Sequence, residues 1–359
     1  MEKNIAIIKG DGIGPEIINK SIDVLNAISK KYSHKFNLEY VCMGGCSIDK
    51  YGVPLTDENL QKCIKSDSVL LGSVGGYKWD NVLPENRPEM GLLKLRKELK
   101  LYANIRPTKI LKSLEYASPL KNSNIDLIIV RELTGGIYFG EHKFETINNI
   151  KYATDIMSYS EDEIRRIGKI AFELSRKLKK PLTSVDKANV LHSSKLWREI
   201  MNDLSKEYND IKYNNMYVDN AAMQLVYNPS QFGIIVTENM FGDILSDEAS
   251  VIGGSIGMAP SASLSDSNFG MYEPIHGSAP DIAGNDIANP IGSILSLAMM
   301  FRYSFNLNYE ADAIENAVYK TINDGYRTKD IMPKNIELAY KYNEVKCSEM
   351  GDIIVSNII

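Results

Sequence analysis

The sequence predicts an α/β protein with a mixed or mostly parallel sheet, and three observations predict it. Short apolar runs of strand length alternate with longer amphipathic segments of helical period. Clusters of Gly, Pro and polar residues separate the two kinds of segment. The 359 residues are 44% hydrophobic and 24% charged, an ordinary globular balance with chain enough for about two domains.

Asn4 to Lys9 reads as a buried strand, Gly10 to Pro15 as a tight loop and Glu16 to Lys31 as an amphipathic helix. Ser68 to Gly72 has strand character, Met90 to Leu99 helical character, and Ile125 to Arg131 is a further apolar strand. Ser160-Glu161-Asp162-Glu163 is a capping box that opens a helix running to about Lys179. Pro181 to Asp186 is extended, and Ser193–Lys206, Glu238–Ile252, Gly292–Phe305 and Glu310–Asn323 read as helices. No internal repeat, low-complexity tract or long linker is visible, so two domains would share closely packed boundaries.

Composition excludes several classes. The net charge of −5 and the lack of a basic tract argue against nucleic-acid binding. The longest apolar run, Leu297 to Phe301, is far below the roughly 18 residues of a membrane span. The apolar stretch after Met1-Glu2-Lys3 ends at Lys9 and lacks the pattern of a signal peptide. The cysteines (Cys42, Cys46, Cys63 and Cys347) form no CxxC pair, so neither a disulfide framework nor a zinc site is expected, and a reduced cytoplasm is the expected location.

Several segments carry chemistry-bearing residues. Lys9-Gly10-Asp11-Gly12-Ile13-Gly14-Pro15-Glu16 lies between a strand and a helix, where it suits a phosphate cradle or a tight turn needing glycine angles. Pro15 breaks the Rossmann fingerprint, and no GK[ST] follows as in a P-loop. Asp243 and Asp247 sit at i and i+4, on one helical face, where their repulsion is offset by a hard divalent cation or tolerated on a solvated face. Asp219 ends a strand and is either an N-cap or a third carboxylate. Arg96, Arg106 and Arg131 stand in apolar surroundings, suited to a carboxylate ligand or to separate salt bridges. Lys187 follows a strand as a candidate base, and Tyr138 is a candidate proton donor. The small-residue loop His276 to Gly284 permits close backbone approach to a ligand or is an ordinary surface loop. Its Asp281 would accept from ribose hydroxyls and repel a 2′-phosphate.

Together these segments resemble the 3-isopropylmalate dehydrogenases, β-decarboxylating hydroxyacid dehydrogenases of the isocitrate/isopropylmalate dehydrogenase family. The resemblance runs from Gly10-Asp11-Gly12 to Gly325-Tyr326-Arg327-Thr328 and is strongest over 218–254 and 272–290. It implies a two-domain α/β fold with a mixed sheet, not a Rossmann fold. One domain would comprise 1–101 and 254–359, with most of the NAD site; 102–253 would carry the homodimer interface and much of the metal and substrate site. It further implies Arg96, Arg106 and Arg131 as a clamp on the malate carboxylates, Asp219, Asp243 and Asp247 as Mg²⁺ or Mn²⁺ ligands, and Tyr138 and Lys187 as the proton-transfer pair. Lys187 and Asp219 would enter the site from the other subunit, with Asp219 also touching substrate. NAD would be contacted along 76–89 and 277–289, with Gly76, Glu89, His276, Gly277, Ser278, Ala279, Pro280, Asp281, Ile282 and Asn289 as candidates.

The implied reaction is oxidation and decarboxylation of 3-isopropylmalate to 4-methyl-2-oxopentanoate, in leucine biosynthesis. Leu92 and Leu93, just before Arg96, suit an isopropyl group and offer nothing to the extra carboxylate of isocitrate. Tyr77, where the family usually has Pro, and Lys9, where Pro often precedes the Gly-Asp-Gly turn, depart from the pattern. A sibling dehydrogenase acting on D-malate or tartrate, and a non-catalytic binding protein on the same fold, are the competing readings.

Overall fold

The computed structural model describes residues 1–120 and 125–359. The chain opens with β1 (Glu2–Gly10), α1 (Gly14–Tyr32), β2 (Lys35–Tyr40), α2 (Gly45–Tyr51), α3 (Asp57–Lys65), β3 (Ser68–Ser73) and α4 (Pro88–Glu98). It continues through β4 (Ala103–Lys109), β5 (Asp126–Glu132), β6 (His142–Ile147), β7 (Ile150–Asp155), α5 (Glu161–Leu178), β8 (Leu182–Asp186) and α6 (His192–Glu207). Next come β9 (Tyr213–Tyr217), α7 (Val218–Tyr227), β10 (Ile234–Thr237), α8 (Asn239–Ile252), β11 (Pro260–Leu264) and β12 (Gly270–Pro274). The last elements are α9 (Ile291–Tyr303), α10 (Asn308–Asn323), β13 (Tyr326–Arg327), α11 (Ile336–Ala339), β14 (Asn343–Glu344) and α12 (Cys347–Ile358).

Two compact units result: Met1–Leu101, Ile110–Lys121 and Gly253–Ile359 form the first, Tyr102–Lys109 and Asn122–Ile252 the second. Residues 110–120 therefore belong with the first unit, against the expectation that all of 102–253 lies in the second. The cause is Arg327, fully buried in the first unit, whose guanidinium donates to the Ser113 carbonyl and the Tyr116 hydroxyl.

In the first unit the strand order is β2-β1-β3-β12-β11, with β1 parallel to both neighbours and β11 antiparallel to β12. Ile5, Ala6, Ile7 and Ile8 of β1 are all buried, as an unbroken apolar run requires when helices cover both faces of a parallel sheet. One face is covered by α1 and α9, which pack with α10 and α12. On the other, Ala6, Ile8, Val69 and Leu71 meet Leu60 of α3 and Leu95 of α4, with Leu92 packed at the edge of that cluster.

In the second unit the order is β4-β5-β10-β8-β9, parallel except for β4 against β5. The Ser160 capping box forms as the sequence predicts, and α5 buries Ile164, Ile167, Ala171 and Phe172. The β6–β7 hairpin stands away from this sheet as its own two-stranded ladder, with Phe144 72% and Ile150 58% exposed. Among the described residues no helix is long and apolar enough to cross a membrane.

Candidate active site

The charged centre of the second unit is assembled at the ends of its strands. Arg131, the last residue but one of β5, lies opposite Asn104 of β4 and beside Thr237 of β10. Arg106 lies two residues further along β4. The chain leaves β10 and enters α8 almost at once, which brings Asn239, Asp243, Ser246 and Asp247 along one side of that helix. Asn239 Oδ1 accepts from Arg131 Nε at 3.0 Å and Nη2 at 2.8 Å, while its own Nδ2 donates to the Gly135 carbonyl. A Cβ on Gly242 would lie 2.6 Å from Arg131 Cγ, so only glycine lets α8 approach this closely.

Asp243 is the hub. Its Oδ1 accepts from Arg131 Nη1 at 2.5 Å and Arg106 Nη1 at 3.5 Å, and its Oδ2 accepts from the Tyr138 hydroxyl at 3.1 Å. Arg106 is oriented by Asn104 Oδ1 at 2.7 Å and Ser246 Oγ at 2.6 Å, and its Nη1 is 3.6 Å from Asp247 Oδ1. Both arginines are buried, so these fixed acceptors hold each guanidinium in one orientation. Burial, with Asp243 adding to it, pushes the Tyr138 phenol up and keeps it protonated. Burial also raises the Asp247 carboxyl, against the pull of Arg106.

The repulsion expected between Asp243 and Asp247 is thus already offset by Arg106 and Arg131, without a cation. The donor set still fits a hard divalent ion: all donors are oxygens, and the Asp243 and Asp247 side chains are 36% and 58% exposed. Asp219 is not an N-cap: β9 ends at Tyr217, and Asp219 lies in the first turn of α7. The three aspartates do not converge within the chain. Among the described residues the only compact trio of metal-binding types is Glu16, Asp286 and Cys347 in the first unit. There Asp286 accepts from the backbone N–H and hydroxyl of Ser348, the bonds of a cap on α12.

Lys187 follows β8 directly. Its neighbour Asp186 is pinned by Arg198 Nε and Nη2 and by the Ala188 N–H. Lys187 Nζ donates to Asp219 Oδ1 at 2.6 Å, and this lysine holds the Asp219 carboxyl below its ordinary range. The Asp219 side chain is 67% exposed.

Sequence reasoning missed the residues that fix these groups. Asn104, Asn239 and Ser246 orient the arginines, and the fully buried Glu132 carboxylate accepts from Thr134 and Gly135, shaping the loop that carries Tyr138. Asn239 and Ser246 act from α8 on arginines more than a hundred residues away, so their spacing carries no signal, while Asn104 and Glu132 act within two or three residues and carry no motif that marks them. The Thr-Glu-Asn-Met-Phe-Gly-Asp approach to Asp243 was the available hint.

In the first unit, Arg96 is buried on α4 and its Nη2 donates to Glu273 Oε1 on β12 at 2.9 Å. Leu92 and Leu93 are half-buried one turn earlier. The glycine-rich loop takes the tight-turn form. Gly10 and Gly12 have φ of 71° and 57°, and a Cβ on Gly12 would lie 2.0 Å from the Ser278 carbonyl oxygen. Asp11 occupies the backbone N–H groups of Gly45, Cys46 and Gly75. Ser278 is buried, Gly277, Pro280 and Asp281 are exposed, and Ala279 has a φ of 39°. Gly76 has a φ of 157°, Glu89 is exposed in the first turn of α4, and Ile282 is half-buried. Burial lowers the His276 imidazole, whose Nε2 meets no partner among the described residues. Asn289 caps α9 by accepting from Ile291 and donates to Asp330. Tyr77, the departure from the family pattern, donates to Asp281 Oδ2 at 3.4 Å.

A family model described as isocitrate/isopropylmalate dehydrogenase matches residues 4–354. The chain is 56% identical to the 3-isopropylmalate dehydrogenase of Helicobacter hepaticus, covering all of both chains. It is 53% identical to that of Clostridium acetobutylicum, covering 99% of each. Among solved structures, isocitrate dehydrogenase from Methylococcus capsulatus superposes with a TM-score of 0.86 at 33% identity over 99% of both chains. A β-decarboxylating dehydrogenase from Thermococcus kodakarensis gives 0.78 at 34%, over 99% of this chain and 96% of the other. These likenesses run through every segment of both units described above, and the chain belongs to the isocitrate/isopropylmalate dehydrogenase family.

Proposed function

We propose that the protein oxidises and decarboxylates 3-isopropylmalate to 4-methyl-2-oxopentanoate with reduction of NAD⁺, a step of leucine biosynthesis. The observation that carries this reading is the convergence of Arg106, Arg131 and Tyr138 on Asp243, in a chain over half identical to proteins of that name. Arg96, Arg106 and Arg131 bind the two substrate carboxylates, which suit planar guanidinium forks. Leu92 and Leu93 take the isopropyl group. Asp243 and Asp247, with Asp219 of the partner subunit, are the residues to hold Mg²⁺ or Mn²⁺, which when bound supplies Lewis acidity while NAD⁺ accepts the hydride.

The chain's own groups then manage the protons. Lys187 Nζ, released from Asp219 and in its neutral amine form, accepts the proton of the C2 hydroxyl. Tyr138, kept protonated by burial, turns from Asp243 and delivers its hydroxyl proton to C3 after CO₂ leaves. Gly76, Glu89, His276–Ile282 and Asn289 border the proposed NAD contacts. The exposed Asp281 carboxylate favours NAD over NADP by repelling a 2′-phosphate.

A homodimer through the second unit is part of the same proposal. The hairpin side chains Phe144 and Ile150, Met223, Val226 and Tyr227 on α7, and Ile244 and Val251 on α8, are exposed apolar groups in need of cover. Lys187 and Asp219, paired at the edge of α7, are then available to the partner's site. Four free thiols agree with a reduced, cytoplasmic setting.

The test is NADH formation from 3-isopropylmalate, NAD⁺ and Mg²⁺, run beside isocitrate, D-malate and NADP⁺. Preference for 3-isopropylmalate and NAD⁺ is expected. Activity on D-malate alone would overturn the specificity, and inactivity of the folded, metal-supplied dimer on every substrate would leave a binding protein.

A further inference from the structure

Cys63 and Cys347 are buried, and burial pushes both thiols up to about 12, which makes them poor nucleophiles. Burial raises the Cys46 thiol as far, but geometry sets Cys42 and Cys46 apart. Both are half-buried, and their Sγ atoms are 3.4 Å apart, Cys42 following β2 and Cys46 in the first turn of α2. The intervening Gly44 has a φ of 95°, a conformation that lets the chain fold back and face the two thiols toward each other.

We infer that Cys42 and Cys46 form a redox-modification site, at which a hydroperoxide converts the thiol pair to an intrachain disulfide. The Cys42 thiolate attacks the peroxide oxygen, breaking the O–O bond and leaving a sulfenic acid and hydroxide, which takes a proton to become water. The Cys46 sulfur then attacks the Cys42 sulfur, forming the S–S bond and expelling the sulfenic oxygen as water. Two electrons and two protons leave the pair, and hydrogen peroxide is reduced to two waters. Cys46 is the resolving sulfur by position: burial, Cys42 and Asp11 all raise its thiol, but its Sγ stands 3.4 Å from that of Cys42, so the second attack needs little movement.

The site is wired to the loop that follows β3. A disulfide draws the sulfurs roughly 1.3 Å closer, to about 2.05 Å. The backbone there is held by Asp11, which accepts from Gly45 and Cys46 and also from Gly75. The same helix carries Asp49, which accepts from Lys78 Nζ at 2.6 Å and Trp79 Nε1 at 3.1 Å, and the Trp79 ring fills the space a Gly45 side chain would occupy. Closing the disulfide therefore shifts residues 75–79. Resting on the proposed function, which gives NAD contacts to 76–89, oxidation weakens NAD⁺ binding.

The test treats the purified holoenzyme with hydrogen peroxide, then maps thiols by alkylation and peptide mass while measuring NAD⁺ kinetics. The expected result is a Cys42–Cys46 disulfide and a rise of about fivefold in KM for NAD⁺ with kcat little changed, reversed by dithiothreitol. Cys42→Ser and Cys46→Ser lose this response, and Cys63→Ser keeps it. Independent alkylation of Cys42 and Cys46 after peroxide, or oxidation only to sulfinic acid, overturns the site. A mapped disulfide with unchanged NAD⁺ kinetics overturns its coupling to the cofactor. Inactivity of the reduced enzyme would count against the proposed function, while the peptide map reads the disulfide independently.

Discussion

Arg106 and Arg131 are buried and oriented by side chains from β4 and α8, whereas Lys187 and Asp219 meet each other near the surface. The difference teaches what each group is built for. A buried guanidinium among fixed acceptors keeps one geometry, ready for a planar carboxylate. An exposed ion pair is worth about 0–1 kcal/mol and exchanges partners readily. The first arrangement suits binding and orientation. The second suits the role proposed for Lys187, which gives up its own anion to act in the partner's site.

The largest expected effect comes from breaking the hub. Asp243→Asn leaves Arg106 and Arg131 without their shared anion and should lower kcat by about 10³-fold. A variant that folds, by circular dichroism, and retains more than a tenth of the activity would remove Asp243 from the centre. Next, Lys187→Met should cost about 10²-fold in kcat while barely moving the melting temperature, as an exposed pair requires. Mixing it with Tyr138→Phe protein under subunit exchange should restore about a quarter of the activity, through heterodimers with one complete site. No recovery from demonstrably mixed dimers would place both residues in one subunit's site.

The comparison extends to an uncharged side chain. Leu92→Ala should reduce kcat/KM for 3-isopropylmalate by about tenfold, with little change for D-malate, which has no isopropyl group. Equal losses on both substrates would make Leu92 a packing residue alone, consistent with its contact to the core cluster. The smallest effect contrasts two carboxyls. Asp219 is held low by Lys187, while burial raises Glu238 to about 7, with Ser194 donating to its Oε1. An unfolded Glu titrates near 4.3, so from there to about 7 the folded carboxyl keeps a proton that the unfolded one has lost. Its contribution is full below about 4.3 and is lost as pH rises through 7. Glu238→Gln should therefore gain on the parent as pH rises from about 4.3 to 7 and keep that gain above it, read as melting temperature against pH. A pH-independent difference would mean that Glu238 is ionised in the fold.

Much of this was legible along the chain. The β1 run, the Ser160 capping box and the strand that ends at Arg131 announce themselves by apolar period and local hydrogen bonding, which act within a few residues. The resemblance implied one site for Arg96, Arg106, Arg131, Tyr138, Lys187 and the three aspartates. Less legible were β2, β9, the β6–β7 hairpin and α7, whose exposed faces blur the hydrophobic pattern. Asp219 was misplaced because Tyr217-Val218-Asp219 reads equally as strand end or helix start.

The sequence by itself determined the α/β class, most helices and the chemistry available, since residue type and short-range spacing decide those. Only the tertiary structure decided that Arg106 and Arg131 neutralise Asp243, that Asp11 ties the Gly45 turn to Gly75, and that residues 110–120 return to the first unit. It alone also paired Lys187 with Asp219 and brought Cys42 against Cys46. The physical reason is that a buried charge or polar group must find a partner wherever the fold supplies one. That partner is chosen by which strands and helices meet, not by distance along the chain.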